Sequence, residues 1–143
     1  MDTIVIDTSV VVKWFRFAED EDYVQEAHNL RDAYLQGKLL VNIPELLIIE
    51  FANLLKYSKR LNLEDANKAL KSLIDFGLEI ITLTPEILNR SLALAFEYDI
   101  TVYDSLFLGT SLEIKADFVT SDKLLYKKIK SLANIYFLGD IRI

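Results

Sequence analysis

The stretch Thr3-Ile4-Val5-Ile6-Asp7-Thr8-Ser9 decides how this chain folds. Ile4, Val5 and Ile6 form a short, uninterrupted β-prone run, the mark of a strand buried on both faces. Residues 10–17 then change to a helical period, so Asp7 stands where a strand ends and a helix begins. In open α/β sheets ligands bind along that edge, outside the carboxyl ends of the strands.

Outward from this junction the same alternation repeats. An apolar helix is expected over residues 9–17, with Lys13 and Arg16 on its polar side. The acidic run 19–22 suits the start of a helix over 23–36, which Gly37 caps. Residues 39–43 read as a second strand, and Pro44 suits the first turn of the next helix. That helix, 46–59, is the most apolar in the chain and ends in Lys56, Lys59 and Arg60. An amphipathic helix over 64–76 stops at Gly77, and residues 78–83 form a third strand. Helices follow from Pro85 to about residue 98 and over 101–112. A strand at 117–120, a helix over 122–132 and a last strand at 135–138 complete the pattern. Strands alternating with helices predict an α/β chain: a three-layer α/β/α sandwich around a central, mostly parallel sheet of about five strands. Its 143 residues read as one domain, 1–143.

Composition narrows the chemistry. The chain is 52% hydrophobic, yet no window of 18 apolar residues occurs, so no membrane span is expected. An acidic residue at position 2 and an immediate strand exclude a signal peptide, so a cytoplasmic protein is expected. Without cysteine there is neither disulfide framework nor thiolate chemistry. The single histidine, His28, cannot supply a zinc site, and its polar surroundings place it on a solvated helix face. Carboxylates remain in quantity, and oxygen-rich sites suit Mg²⁺ or Mn²⁺. The net charge of −6 argues against broad electrostatic binding to nucleic acid. A nucleic-acid substrate would have to be held by metal ions and local basic patches.

Four acidic residues stand out. Asp7, Asp104 and Asp122 each have an ordinary reading as part of a helix cap, worth about 1 kcal/mol. Glu50 differs, because it interrupts the apolar run 46–55, where an ionised group is not buried without a partner. Asn53 and Tyr57 continue its face, which is either a functional stripe or simply the solvent side of the helix. Asp7 and Asp122 end strands and Asp104 begins a helix, places that fall along one edge of a parallel sheet. Carboxylates about 5 Å apart repel by about 3 kcal/mol per pair at an effective dielectric of 20. Capping and dipole effects do not offset several such pairs, whereas a divalent cation does.

The segments Ile6-Asp7-Thr8-Ser9-Val10, Pro44 to Glu50 with Asn53, Tyr103-Asp104-Ser105-Leu106 and Val119-Thr120-Ser121-Asp122 resemble the acidic motifs of PIN-domain nucleases, in order and spacing. The short chain and its Asp-Thr-Ser-Val-Val-Val-Lys-Trp opening are similar to VapC-type toxins of toxin–antitoxin pairs. The resemblance implies an endoribonuclease dependent on Mg²⁺ or Mn²⁺. Asp7, Asp104 and Asp122 would be metal ligands, with Glu50 ligating directly or through water. Thr8, Ser9, Asn53 and Ser121 would orient them. Lys13 and Arg16 would contact RNA phosphates; Lys123, Lys127 and Lys128 would do likewise, or pair with a helix C-terminus instead. It also implies an antitoxin lying over the active-site groove and a homodimer. Trp14, Phe15 and Phe17 suit such a groove or a dimer face, or ordinary core. A PIN nuclease of RNA maturation, without an antitoxin, is one alternative. A non-catalytic receiver-like module is another, weakened because Thr8 and Ser9 stand where a receiver needs an acidic neighbour.

Overall fold

A computed structural model describes residues 1–15 and 21–143. Five strands, β1 (Thr3–Ile6), β2 (Leu40–Pro44), β3 (Glu79–Ile81), β4 (Asp117–Thr120) and β5 (Ile135–Phe137), form one sheet in the order β3-β2-β1-β4-β5. Every neighbouring pair is parallel. β1 lies in the middle, and its Ile4, Val5 and Ile6 are wholly buried. The strand order differs from that of a receiver, in which the first strand lies between the second and the third, so the receiver-like reading falls.

Seven helices accompany the strands among the described residues: α1 (Thr8–Val11), α2 (Val24–Leu35), α3 (Glu45–Tyr57), α4 (Leu63–Asp75), α5 (Pro85–Tyr98), α6 (Val102–Glu113) and α7 (Lys123–Ile129). The chain moves one way across the sheet from β1 to β3 and the other way from β3 to β5. Right-handed crossovers therefore put α1 to α4 on one face and α5 to α7 on the other. Contacts follow this division. Phe15 packs on Phe51 of α3, Trp14 on Phe76 beyond α4, and Tyr34 of α2 donates to the Phe76 and Gly77 carbonyls. On the opposite face Arg90 of α5 pairs with Glu113 of α6 at 3.2 Å. Lys128 of α7 donates to the Asp99 carbonyl that ends α5, at 2.6 Å. Between β1 and β4 the chain leaves in opposite directions, and such a switch point opens a crevice at the carboxyl ends of the strands.

The main departures from the sequence reading lie at element ends. The first helix is α-helical only over Thr8–Val11 and tightens to a 3-10 turn over Val12–Trp14. A run of three valines weakens helix propensity at that point. Lys13 is buried there rather than lying on a polar side, while Arg16 and Phe17 fall outside the described residues. Pro44 closes β2 in extended conformation and serves as the N-cap of α3. The third strand spans Glu79–Ile81 alone and is largely exposed at the sheet edge. α7 stops at Ile129, because the chain must reverse through a left-handed Asn134 to enter β5. Trp14 belongs to the core, its indole donating to the Ala27 carbonyl, and Phe15 packs against that core. His28 is partly buried on α2. Among the described residues no helix is long and apolar enough to cross a membrane.

Candidate active site

A pocket of about 330 Å³ opens at the switch point. Asp7, Thr8, Ser9 and Val12 from the first turn line it, with Glu50, Asn53 and Leu54 of α3, Asp104 and Phe107 of α6, and Asp122. All four acids singled out by sequence thus share one cavity, and among the described residues no basic side chain is part of its lining.

Each acid arrives by a different local route. Asp7 continues β1 in extended conformation, where capping of α1 was one expectation; its side chain makes no cap bond. Instead its carboxylate accepts the Ser9 hydroxyl on one oxygen and the Thr120 hydroxyl on the other. Register explains the second contact: Ile6 faces Val119, so Asp7 comes level with Thr120. Asp122 does cap, its Oδ1 accepting the Leu125 amide at 3.0 Å, and it faces the pocket as well. For Asp104, the capping-box reading holds in its backbone half: its amide donates to Thr101 Oγ1 at 3.1 Å, leaving its carboxylate to the pocket. Glu50 Oε1 accepts the Thr8 hydroxyl at 2.7 Å, which ties α3 to the first turn.

The electrostatics follow from this crowding. Burial pushes the Asp7 carboxyl up to about 6. The Ser9 and Thr120 hydroxyls pull it down, and the Asp122 and Asp104 charges push it up further. Glu50 is raised by partial burial, relieved by Thr8 and raised again by Asp104. Asp104 is raised by burial and then by the charge of Asp122, with the Thr101 bond opposing. The charges of Asp104 and Asp122 therefore reach neighbouring carboxyls in the pocket, the condition under which a cation is favoured.

Ser9 and Ser121 join the two strand ends. The Ser121 amide donates to Ser9 Oγ at 3.0 Å, and Ser121 Oγ donates to the Ser9 carbonyl at 3.1 Å. Ser121 thus holds Ser9 rather than a carboxylate. Thr120 is the functional candidate that sequence reasoning missed. Its hydroxyl accepts the Asp122 amide at 3.1 Å while donating to Asp7, coupling two acids through one atom. A signal was present: Asp7-Thr8-Ser9 and Thr120-Ser121-Asp122 carry the same three residue types at two neighbouring strand ends.

Comparison with known families bears on this arrangement. The PIN domain profile matches residues 4–130, nearly the whole chain and all four acids. The chain belongs to the PIN-domain family. Among curated proteins none matches. Solved structures share the fold of this PIN domain. A toxin–antitoxin complex from Klebsiella pneumoniae aligns at TM-score 0.71 and 17% identity, covering 96% of this chain and 99% of that one. VapBC2 of Rickettsia felis, bound to a DNA fragment from its promoter, aligns at 0.66 and 18%, covering 94% and 96%. VapC20 of Mycobacterium tuberculosis, a sarcin–ricin loop cleaving toxin, aligns at 0.62 and 12%, covering 87% and 93%.

Of the basic residues expected at this PIN domain's site, Lys13 and Lys123 are not part of the pocket lining, and Arg16 lies outside the described residues. Lys13 is buried and does not line the pocket. Lys123, at the start of α7, sits 5.7 Å over the Tyr23 ring rather than in the cavity. Lys128 neutralises the C-terminal end of α5, the structural alternative to phosphate contact. Asn53 does line the pocket.

Whether these residues suit a divalent ion can be tested on their chemistry. The donors are hard oxygens only, as Mg²⁺ and Mn²⁺ require. Among the described residues no three acidic or histidine side chains are spaced as one direct ligand cluster. Mg²⁺ keeps several waters and takes only one or two carboxylates directly, so it is the hard-oxygen character of the donors, not a preformed cluster, that suits such an ion.

Proposed function

We propose that this PIN domain is an endoribonuclease dependent on Mg²⁺ or Mn²⁺, acting in the cytoplasm as the toxin of a toxin–antitoxin pair. One observation carries the reading: four carboxylates from four separate segments line a pocket that, among the described residues, no basic side chain enters. A phosphodiester could approach that much negative charge only with a cation present. Asp7, Asp104, Asp122 and Glu50 would hold the ion, one or two of them directly and the others through its waters. Bound there, it would supply a lowered water pKa and charge neutralisation at the phosphate.

The remaining steps belong to the chain. Ser9 and Thr120 fix both oxygens of Asp7, and Thr8 fixes Glu50, so the acids meet a substrate pre-oriented. Glu50 and Asp104 line the pocket and are partly exposed, which leaves each a carboxylate oxygen within reach of an attacking water whose proton it can take. In-line attack of that water on phosphorus breaks the bond to the 3′-oxygen, which takes a proton from solvent, and the carboxylate later returns the proton it accepted to solvent. A 3′-hydroxyl and a 5′-phosphate result. Val12, Leu54 and Phe107 form the apolar wall that limits water around the phosphate.

Incubating the purified chain with single-stranded RNA, with and without Mn²⁺ or Mg²⁺, tests the reading. Cleavage is expected only with metal. Asp104→Asn should lower it by about 10²-fold or more, the scale of losing one key electrostatic group, with circular dichroism unchanged. An equally active Asp104→Asn protein would refute the site. The toxin role draws on the toxin–antitoxin complexes that share the fold over nearly the full length of this chain. Expression in a bacterial host should arrest growth, and Asp104→Asn should relieve the arrest. A nuclease of RNA maturation would leave growth unaffected. An antitoxin segment over the groove and a homodimer complete the proposal. Leu88, Leu92 and Phe96, exposed in one row along α5, supply an apolar face for the second copy.

A further inference from the structure

We infer that the outer face of α3 beyond the pocket, centred on Tyr57 and flanked by Lys56 and Lys59, is a stacking platform that restricts the substrate to RNA unpaired next to the cut. The inference rests on the nuclease reading above and names the class of RNA the site takes. Tyr57 lies seven residues after Glu50, within about 20° of the same helical face and about 10 Å further along the axis. Asn53 and Leu54, which line the pocket, stand on that face between them. The helix face that lines the cavity with Glu50, Asn53 and Leu54 therefore continues along α3 to Tyr57.

This face has the features of a nucleotide site rather than a folding surface. Tyr57 is 74% exposed, so its ring is open to a partner. The Lys56 ammonium lies 5.2 Å from the ring centroid, placing a cation beside an aromatic plane. Lys59 is exposed in the turn that follows α3, two residues after Tyr57. From residue 51 to residue 63 the sequence holds Lys56, Lys59 and Arg60 and no acidic residue. In a chain of net charge −6 that is a local positive track, and it starts at a pocket acid. Phosphates suit the lysines and a splayed base suits the ring, the combination used by proteins that bind single strands. A duplex keeps its bases stacked on each other and offers no face to Tyr57. Charge favours RNA over an acidic pocket's other visitor, an apolar protein segment, which has no use for the lysines.

The test compares steady-state cleavage by the wild-type protein, Tyr57→Ala, Tyr57→Phe and the double variant K56Q/K59Q, with Mn²⁺, on one RNA offered single-stranded or annealed to its complement. Tyr57→Ala should raise KM on the single strand about tenfold with kcat little changed, and should erase the preference over duplex. Tyr57→Phe should behave as wild type. In the double variant, log–log salt dependence of binding should flatten by about 1.4, two phosphate contacts at about 0.7 each. Because Tyr57 is exposed, its loss should leave the melting temperature unchanged. Equal KM in wild type and Tyr57→Ala would overturn the platform while leaving the nuclease reading intact. So would a Tyr57→Ala protein that escapes antitoxin inhibition with its RNA kinetics unchanged, since the face would then dock protein. A wild-type protein that cleaves no RNA would remove both.

Discussion

Asp7 is the residue on which stability and function pull apart. Folded, it keeps its proton up to about pH 6; unfolded, only to 3.8. The folded state thus binds the extra proton between those values, and its stability declines as pH rises through that window. Above it the cost is complete, up to about 3 kcal/mol for a shift of this size. Asp7→Asn should therefore melt higher than wild type at pH 7.5 without metal, by about 2–4 °C for each kcal/mol recovered. Below pH 4 the advantage should vanish. Equal melting at pH 7.5 would mean that Asp7 bears no burial cost. Thr120 answers for the neighbouring residue. Thr120→Val removes the hydroxyl that donates to Asp7 and accepts the Asp122 amide. Mn²⁺ affinity, read from the metal-induced rise in melting temperature, should fall about 10- to 100-fold.

Among the elements, α6 decides whether Asp104 reaches the pocket. Its residues from Ser105 to Ser111 are all buried, an unusual burden for a helix carrying two serines, a threonine and a glycine. Thr110 and Ser111 return their hydroxyls to carbonyls of their own helix at 2.7 Å, so no polar atom is stranded. Gly109 lets α5 approach: a Cβ there would come within 2.3 Å of Ser91 Oγ and 3.3 Å of the Ser91 backbone. Gly109→Ala should push the two helices apart and cost about 1–3 kcal/mol in urea denaturation. Unchanged stability would show that the α5–α6 contact is looser than its geometry. The valine run Val10-Val11-Val12 has the opposite effect on α1, which ends after one turn and turns Lys13 inward. Helical period alone put Lys13 on a solvent face, because the period assumed a helix that the β-branched run does not sustain.

For the molecule as a whole, the order β3-β2-β1-β4-β5 matters most, since it sets β1 beside β4 and brings Asp7 next to Asp122. Two outward consequences follow at this scale. Divalent metal should raise the melting temperature of the wild type at pH 7.5 and have little effect on Asp104→Asn, whatever the RNA. The apolar row on α5 leaves Phe96 84% exposed, and if it seats a second copy, Phe96→Glu should convert a dimer to a monomer in sedimentation. Wild type sedimenting as a monomer would discard that face.

The sequence by itself determined the alternation of strands and helices, because apolar runs and helical periods are local and repeat every few residues. It also picked out Asp7, Glu50, Asp104 and Asp122, since an acid at a strand end or inside an apolar helix is conspicuous without coordinates. Only the tertiary structure decided what those acids touch. The pairing of Asp7 with Thr120 spans 113 residues and depends on strand register, which no local pattern encodes. The fates of Lys13, buried, and Lys128, tied to the end of α5, were likewise set by neighbours distant in sequence. Local physics placed the charges along the chain, and packing chose their partners.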